Sequence, residues 1–88
     1  MGVNSKHKKI LQAIFTKPTP SNIRWKDIEI LVLSLGCEIK EGNGSRIRFC
    51  FRNIRHTFHK PHPSPYAMKG AVIDVCKFLI NIGIKYED

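Results

Sequence analysis

The run Arg46-Ile47-Arg48-Phe49-Cys50-Phe51-Arg52-Asn53-Ile54-Arg55-His56-Thr57-Phe58-His59 decides how this chain folds. Ile47, Phe49 and Phe51 alternate with Arg46, Arg48, Cys50 and Arg52, and a strand sends successive side chains to opposite faces of its sheet. One face is therefore core and the other an arginine ladder. Ile54 to His59 is again rich in β-formers and follows after only Asn53, which predicts a tight hairpin centred on Arg52-Asn53. With Ile54 and Phe58 in the core, Arg55, Thr57 and His59 join the arginines on the open face. His56 then points to the core side, near its edge.

Working outward, Cys37-Glu38-Ile39-Lys40-Glu41 reads as a first strand joined to the hairpin through Gly42-Asn43-Gly44-Ser45. Gly44 supplies a positive φ in that turn and Ser45 closes it. Upstream, Trp25, Ile28, Leu31, Val32 and Leu35 recur at helical spacing, with Ser21 or Asn22 as cap, Asp27 and Glu29 at the positive end and Gly36 as the stop. An appended short helix runs from a Ser5 cap to about Phe15, ended by Pro18 and Pro20. Downstream, the prolines of Lys60-Pro61-His62-Pro63-Ser64-Pro65-Tyr66 predict a stiff, polyproline-like loop. A last helix spans about Lys69 to Ile82, with Val72, Val75, Cys76 and Leu79 inward and Gly83 as its stop. Ile73, Phe78 and Ile80 widen its apolar face, either as a protein-binding surface or as packing against the first helix.

From Gly42 to Ile73 there is no Asp or Glu, while Arg46, Arg48, Arg52, Arg55, Lys60, Lys69, His56, His59 and His62 all fall in that stretch. The chain as a whole carries a net charge of +8 at pH 7. A one-signed patch repels itself, and Lys and Arg gain affinity for nucleic acid by releasing its condensed counterions, so the pattern points to phosphate. The alternative is a solvated face that aids solubility. With 88 residues and 42% apolar content the chain makes one domain with a small core, and no stretch is long enough to span a membrane. Cys37, Cys50 and Cys76 are odd in number and set in apolar context, which reads as reduced thiols of a cytoplasmic protein. A zinc site lacks its ligands, since only His59 and His62 stand at ligand spacing.

Two helices on one face of a three-stranded antiparallel sheet, in the order α-β-β-β-α with a short extra N-terminal helix, is the α+β arrangement of double-stranded-RNA-binding (dsRBD-like) domains. Trp25-Lys26-Asp27-Ile28-Glu29, Leu35-Gly36-Cys37, Glu41-Gly42-Asn43-Gly44-Ser45-Arg46, Phe58-His59-Lys60-Pro61-His62-Pro63 and Phe78-Leu79-Ile80-Asn81-Ile82-Gly83 resemble the HicA-type toxins of bacterial toxin–antitoxin pairs. The likeness covers about Asn22 to Ile84. It divides the chain into an extension over 1–20, a HicA-like domain over 21–84 and a tail over 85–88. The resemblance implies a cytoplasmic, cofactor-free ribonuclease that cleaves mRNA and is silenced by a HicB-like antitoxin. In the common form of the family, however, the Gly-Ser pair precedes the histidine associated with cleavage, and here Arg46 follows Gly44-Ser45.

Arginine stays protonated in proteins, so Arg46 can bind phosphate but cannot take a proton from a 2′-hydroxyl. Either another histidine serves or the chain is a degenerate toxin that only binds RNA or its antitoxin. Metal-free RNA cleavage needs a base, a cation over the phosphate and an acid, and histidine suits both proton roles. His59, at the end of the arginine face, and His62, in the proline loop, are the catalytic candidates. Arg46, Arg48, Arg52, Arg55, Lys60 and Lys69 are the RNA-binding candidates, with the free N–H groups of Lys69 and Gly70 a further phosphate contact. Trp25 reads as a core anchor, His7 as a surface residue, and Tyr66 as either a base-stacking platform or a hydrophobic staple.

Overall fold

The computed structural model describes residues 5–86; the first four residues and the end of the tail, Glu87-Asp88, lie outside the described residues. Its elements are α1 (Ser5–Phe15), α2 (Trp25–Ser34), β1 (Glu38–Glu41), β2 (Arg46–Phe51), β3 (Ile54–His59) and α3 (Lys69–Asn81). The strands form one antiparallel meander in the order β1-β2-β3. Phe51 pairs with Ile54, so Arg52 and Asn53 are the two residues of a tight hairpin loop, and Arg52 takes a φ of 57°. The arrangement is the dsRBD-like α-β-β-β-α with an extra N-terminal helix.

Alternation builds the core as expected. Ile47 and Phe49 are buried while Arg46 and Arg48 are exposed, and Phe58 is buried between exposed Thr57 and His59. Phe49 lies at the centre of an aromatic cluster, its ring 5.7 Å from Trp25, 4.7 Å from Phe58 and 5.8 Å from Phe78. Trp25 is thus the core anchor that its stripe predicts. Phe78, one of the three residues that widen the apolar face of the last helix, belongs to this cluster, while Ile73 and Ile80 stay exposed. The helix stops hold: behind Ser34 and Asn81 the chain turns at Gly36 and Gly83 with φ of 95° and 96°. Cys37 N–H reaches the Val32 carbonyl, and Ile84 N–H that of Leu79, so both ends close in the same way.

Two expectations change. Neither Ser21 nor Asn22 caps α2. Arg24 stands before its first residue, because the Trp25 N–H is spent on the Pro65 carbonyl (2.9 Å) and the Ala67 N–H on Ile23 (2.8 Å) in a short bridge to the proline loop. That pairing delays the helix. The first helix is also more than an appendage: Leu11 and Ile14 are buried in the common core, and α1 lies against both α2 and α3. No helix among the described residues is long and apolar enough to cross a membrane.

Candidate nucleic-acid interface

Residues directly opposite on antiparallel strands share a face, so the register assigns the open face row by row. His59 stands opposite Arg46. Thr57, Arg48 and Lys40 form the next row, and Arg55, Cys50 and Glu38 the third. Lys40, Arg46, Arg48 and Arg55 therefore point away from the helices. Lys40, Arg46, Arg48 and Thr57 line a shallow depression of about 220 Å³ on this face. Cys50, although on the open side, is only 7% exposed between its cross-strand neighbours Glu38 and Arg55.

Both catalytic candidates border the turn before β2. Gly44 has a φ of 63° there, and Arg46 N–H closes the turn onto the Asn43 carbonyl. Lys60 N–H continues the ladder onto the Ser45 carbonyl at 2.9 Å, which brings the end of β3 alongside Ser45. Ser45 Oγ lies 3.5 Å from His59 Nδ1. A second groove of about 480 Å³ is lined by Gly44, Ser45, Lys60, Pro61 and His62, so His59 and His62 flank the same turn. His56 sits on the core side with its ring 4.4 Å from that of Phe58, as its parity predicts. Among the described residues no three His, Cys, Asp or Glu side chains gather as a ligand group.

Three of the predicted cations stand elsewhere. Arg52 leaves the ladder because it occupies the hairpin loop, where strand parity no longer applies, and its guanidinium lies 5.1 Å from the Phe51 ring centre. Lys60 follows His59 and so points the opposite way, toward α2. Its Nζ lies 3.4 Å from Glu41 and 3.9 Å from Glu29, and Glu29 in turn accepts the Trp25 indole N–H at 2.8 Å. This chain of contacts ties the start of the proline loop to helix and sheet. Lys69 is the exposed first residue of α3, on the helical side of the sheet. Lys40 is a cation that the sequence reading passed over, although the alternation Glu38, Lys40 in a short strand was the signal.

Two of the buried thiols are shifted. Burial pushes Cys37 above the ordinary thiol range, with neighbouring Cys50 adding to it. Burial also raises Cys76, partly opposed by Lys17. Both are protonated at neutral pH.

The topology and the open basic sheet define a small α+β domain of the dsRBD-like class. The family model of the HicA toxin of bacterial toxin–antitoxin systems matches residues 25–79, from the first residue of α2 to the last turn of α3, and the chain belongs to that family. It is a toxin of a toxin–antitoxin pair, with an antitoxin as its partner. No curated protein and no solved structure gives a match.

Proposed function

We propose that this toxin binds RNA on the open face of its sheet and cleaves mRNA there as an endoribonuclease that needs no metal, under the control of a HicB-like antitoxin. The observation that carries the reading is the pairing of Arg46 with His59. The position where the family commonly has its histidine holds an arginine, and the residue directly across the ladder, with its Cβ about 4.5–5.5 Å away, is a histidine. Arg46 is the phosphate clamp and His59 the base that takes the proton of the 2′-hydroxyl. The 2′-oxygen attacks phosphorus, the bond to the 5′-oxygen breaks, and His62 across the Ser45 turn returns a proton to that leaving oxygen. The products are a 2′,3′-cyclic phosphate and a 5′-hydroxyl.

Purified protein incubated with mRNA in EDTA tests this. Fragments ending in a cyclic phosphate or its hydrolysis product are expected, and RNA carrying 2′-O-methyl groups should resist. His59→Ala should lose about 10²–10⁴-fold in rate with folding and RNA affinity retained, and His62→Ala is the matched comparison. Full activity in His59→Ala/His62→Ala would sink the assignment. An inactive parent that still binds its antitoxin would establish the degenerate reading instead.

A further inference from the structure

We propose that the groove between the start of α2 and the proline loop seats a nucleotide flanking the cleaved one, and that Tyr66, beside the groove at Arg24, is the platform on which its base stacks. The inference rests on the RNA reading above and names the reach of the substrate: a single strand that continues past His62 and around the loop.

The groove, about 320 Å³, is lined by Arg24, Trp25, Lys26 and Pro65 together with Lys60 and Pro61; Tyr66 stands outside the lining, next to Arg24. That volume falls at the lower end of ligand pockets, about 300–1,000 Å³, and suits one nucleotide better than a larger ligand. Lys60 and Pro61 also line the groove beside Ser45 and His62, so the two depressions are neighbours across the start of the proline loop. Glu29, which also lines the first of them, is occupied by the Trp25 indole and the Lys60 ammonium. Arg24 and Lys26 are exposed and supply the positive charge that a phosphate needs.

Tyr66 has the attributes of a stacking residue. It is 41% exposed, and the buried residue that precedes the α3 cap is Ala67, so Tyr66 does not act as the staple of that helix. Its backbone is held: Tyr66 bridges Arg24, the flanking Pro65 carbonyl and Ala67 N–H are both paired, and its own N–H meets Ser64 Oγ at 3.1 Å. The Arg24 guanidinium lies 5.8 Å from the ring centre. A fixed, open aromatic ring beside an arginine is the combination that single-stranded binders use, because every base presents a π-face.

The test uses a 2′-O-methyl RNA ten-mer, resistant to cleavage, with 2-aminopurine placed at each position in turn. Binding to the full chain should quench the fluorescence most at one position. Tyr66→Ala should abolish that quench and weaken binding about 5- to 150-fold, whereas Tyr66→Phe should keep both within about twofold. Arg24→Ala should lower the salt slope by about 0.7. If Tyr66→Ala retains the quench and the affinity while Arg46→Ala/Arg48→Ala loses affinity, this inference falls and the RNA reading stands. If the parent binds no RNA, both fall.

Discussion

The open face makes a quantitative prediction about salt. The register places Lys40, Arg46, Arg48 and Arg55 there and removes Arg52 and Lys60, which turn toward Phe51 and toward Glu29 and Glu41. Each phosphate neutralised on a single strand contributes about −0.7 to the slope of log affinity against log salt, so the four open-face cations supply about −2.8. Between 50 and 200 mM salt that amounts to about a 50-fold loss of affinity from the sheet alone. Replacing Arg46 and Arg48 together by Ala should bring the slope down by about 1.4, leaving the remaining sheet contribution at about a sevenfold loss over the same range. Arg52→Ala should leave the slope where it was. Fluorescence anisotropy of a labelled RNA titrated at five or six salt concentrations reads all of these. A slope unchanged by the Arg46/Arg48 pair, or one that falls with Arg52 instead, would refute the assignment of the binding face.

The core assignment is checked by melts: Phe49→Ala, with no exposure in the parent, should cost about 3–5 kcal/mol, a large part of the about 4–13 kcal/mol available to a chain this size. Phe51→Ala, only half-buried, should cost less than Phe49→Ala, and Arg48→Ala less than about 0.5 kcal/mol; the reverse ranking would mean that the strand faces the other way. Cys37 and Cys76, whose pKa values burial raises, should react slowly with a thiol reagent at pH 8 until the chain is unfolded, and fast labelling of the native chain would contradict their burial. Because the folded thiols hold their protons more tightly than the unfolded ones, their contribution to stability is present below the ordinary thiol pKa and is lost as pH rises through the raised values, which urea melts at increasing pH would follow.

Where period and punctuation agreed, the fold was legible. The alternation from Arg46 to Phe51 gave β2, Asn53 gave the hairpin, and Gly36 and Gly83 gave two helix ends, because each of these is a local preference that the tertiary structure reinforces. The start of α2 was misread for a tertiary reason. Ser21 and Asn22 are good caps in isolation, but the backbone from Ile23 to Trp25 pairs with Pro65–Ala67, about forty residues away, and a bond made at that distance leaves no signal in the local sequence. The place of Phe78 was left open for a related reason: a helical stripe says which residues lie together, not how far α1 and the sheet wrap around it.

The site was partly legible, and its errors share one cause. Counting cations in an acid-free stretch treats charge as a property of sequence, whereas a strand sorts charges by parity and a turn suspends that sorting. His59 and Lys60 are neighbours in the chain and point to opposite sides; Arg52 shares the parity of Arg46 and Arg48, but the strand ends at Phe51 and the hairpin carries it away. Parity also gives Arg46 its meaning. A histidine lost at that position cannot be replaced from Arg48, about 7 Å along the same strand, without moving the proton-transfer group off the clamped phosphate. On the proposed mechanism a histidine opposite, at His59, keeps base and cation in one row of the ladder. On the proposed mechanism, Arg46→His/His59→Arg should therefore restore activity lost in Arg46→His or His59→Arg alone, a reciprocity that a surface selected only for net charge would not show.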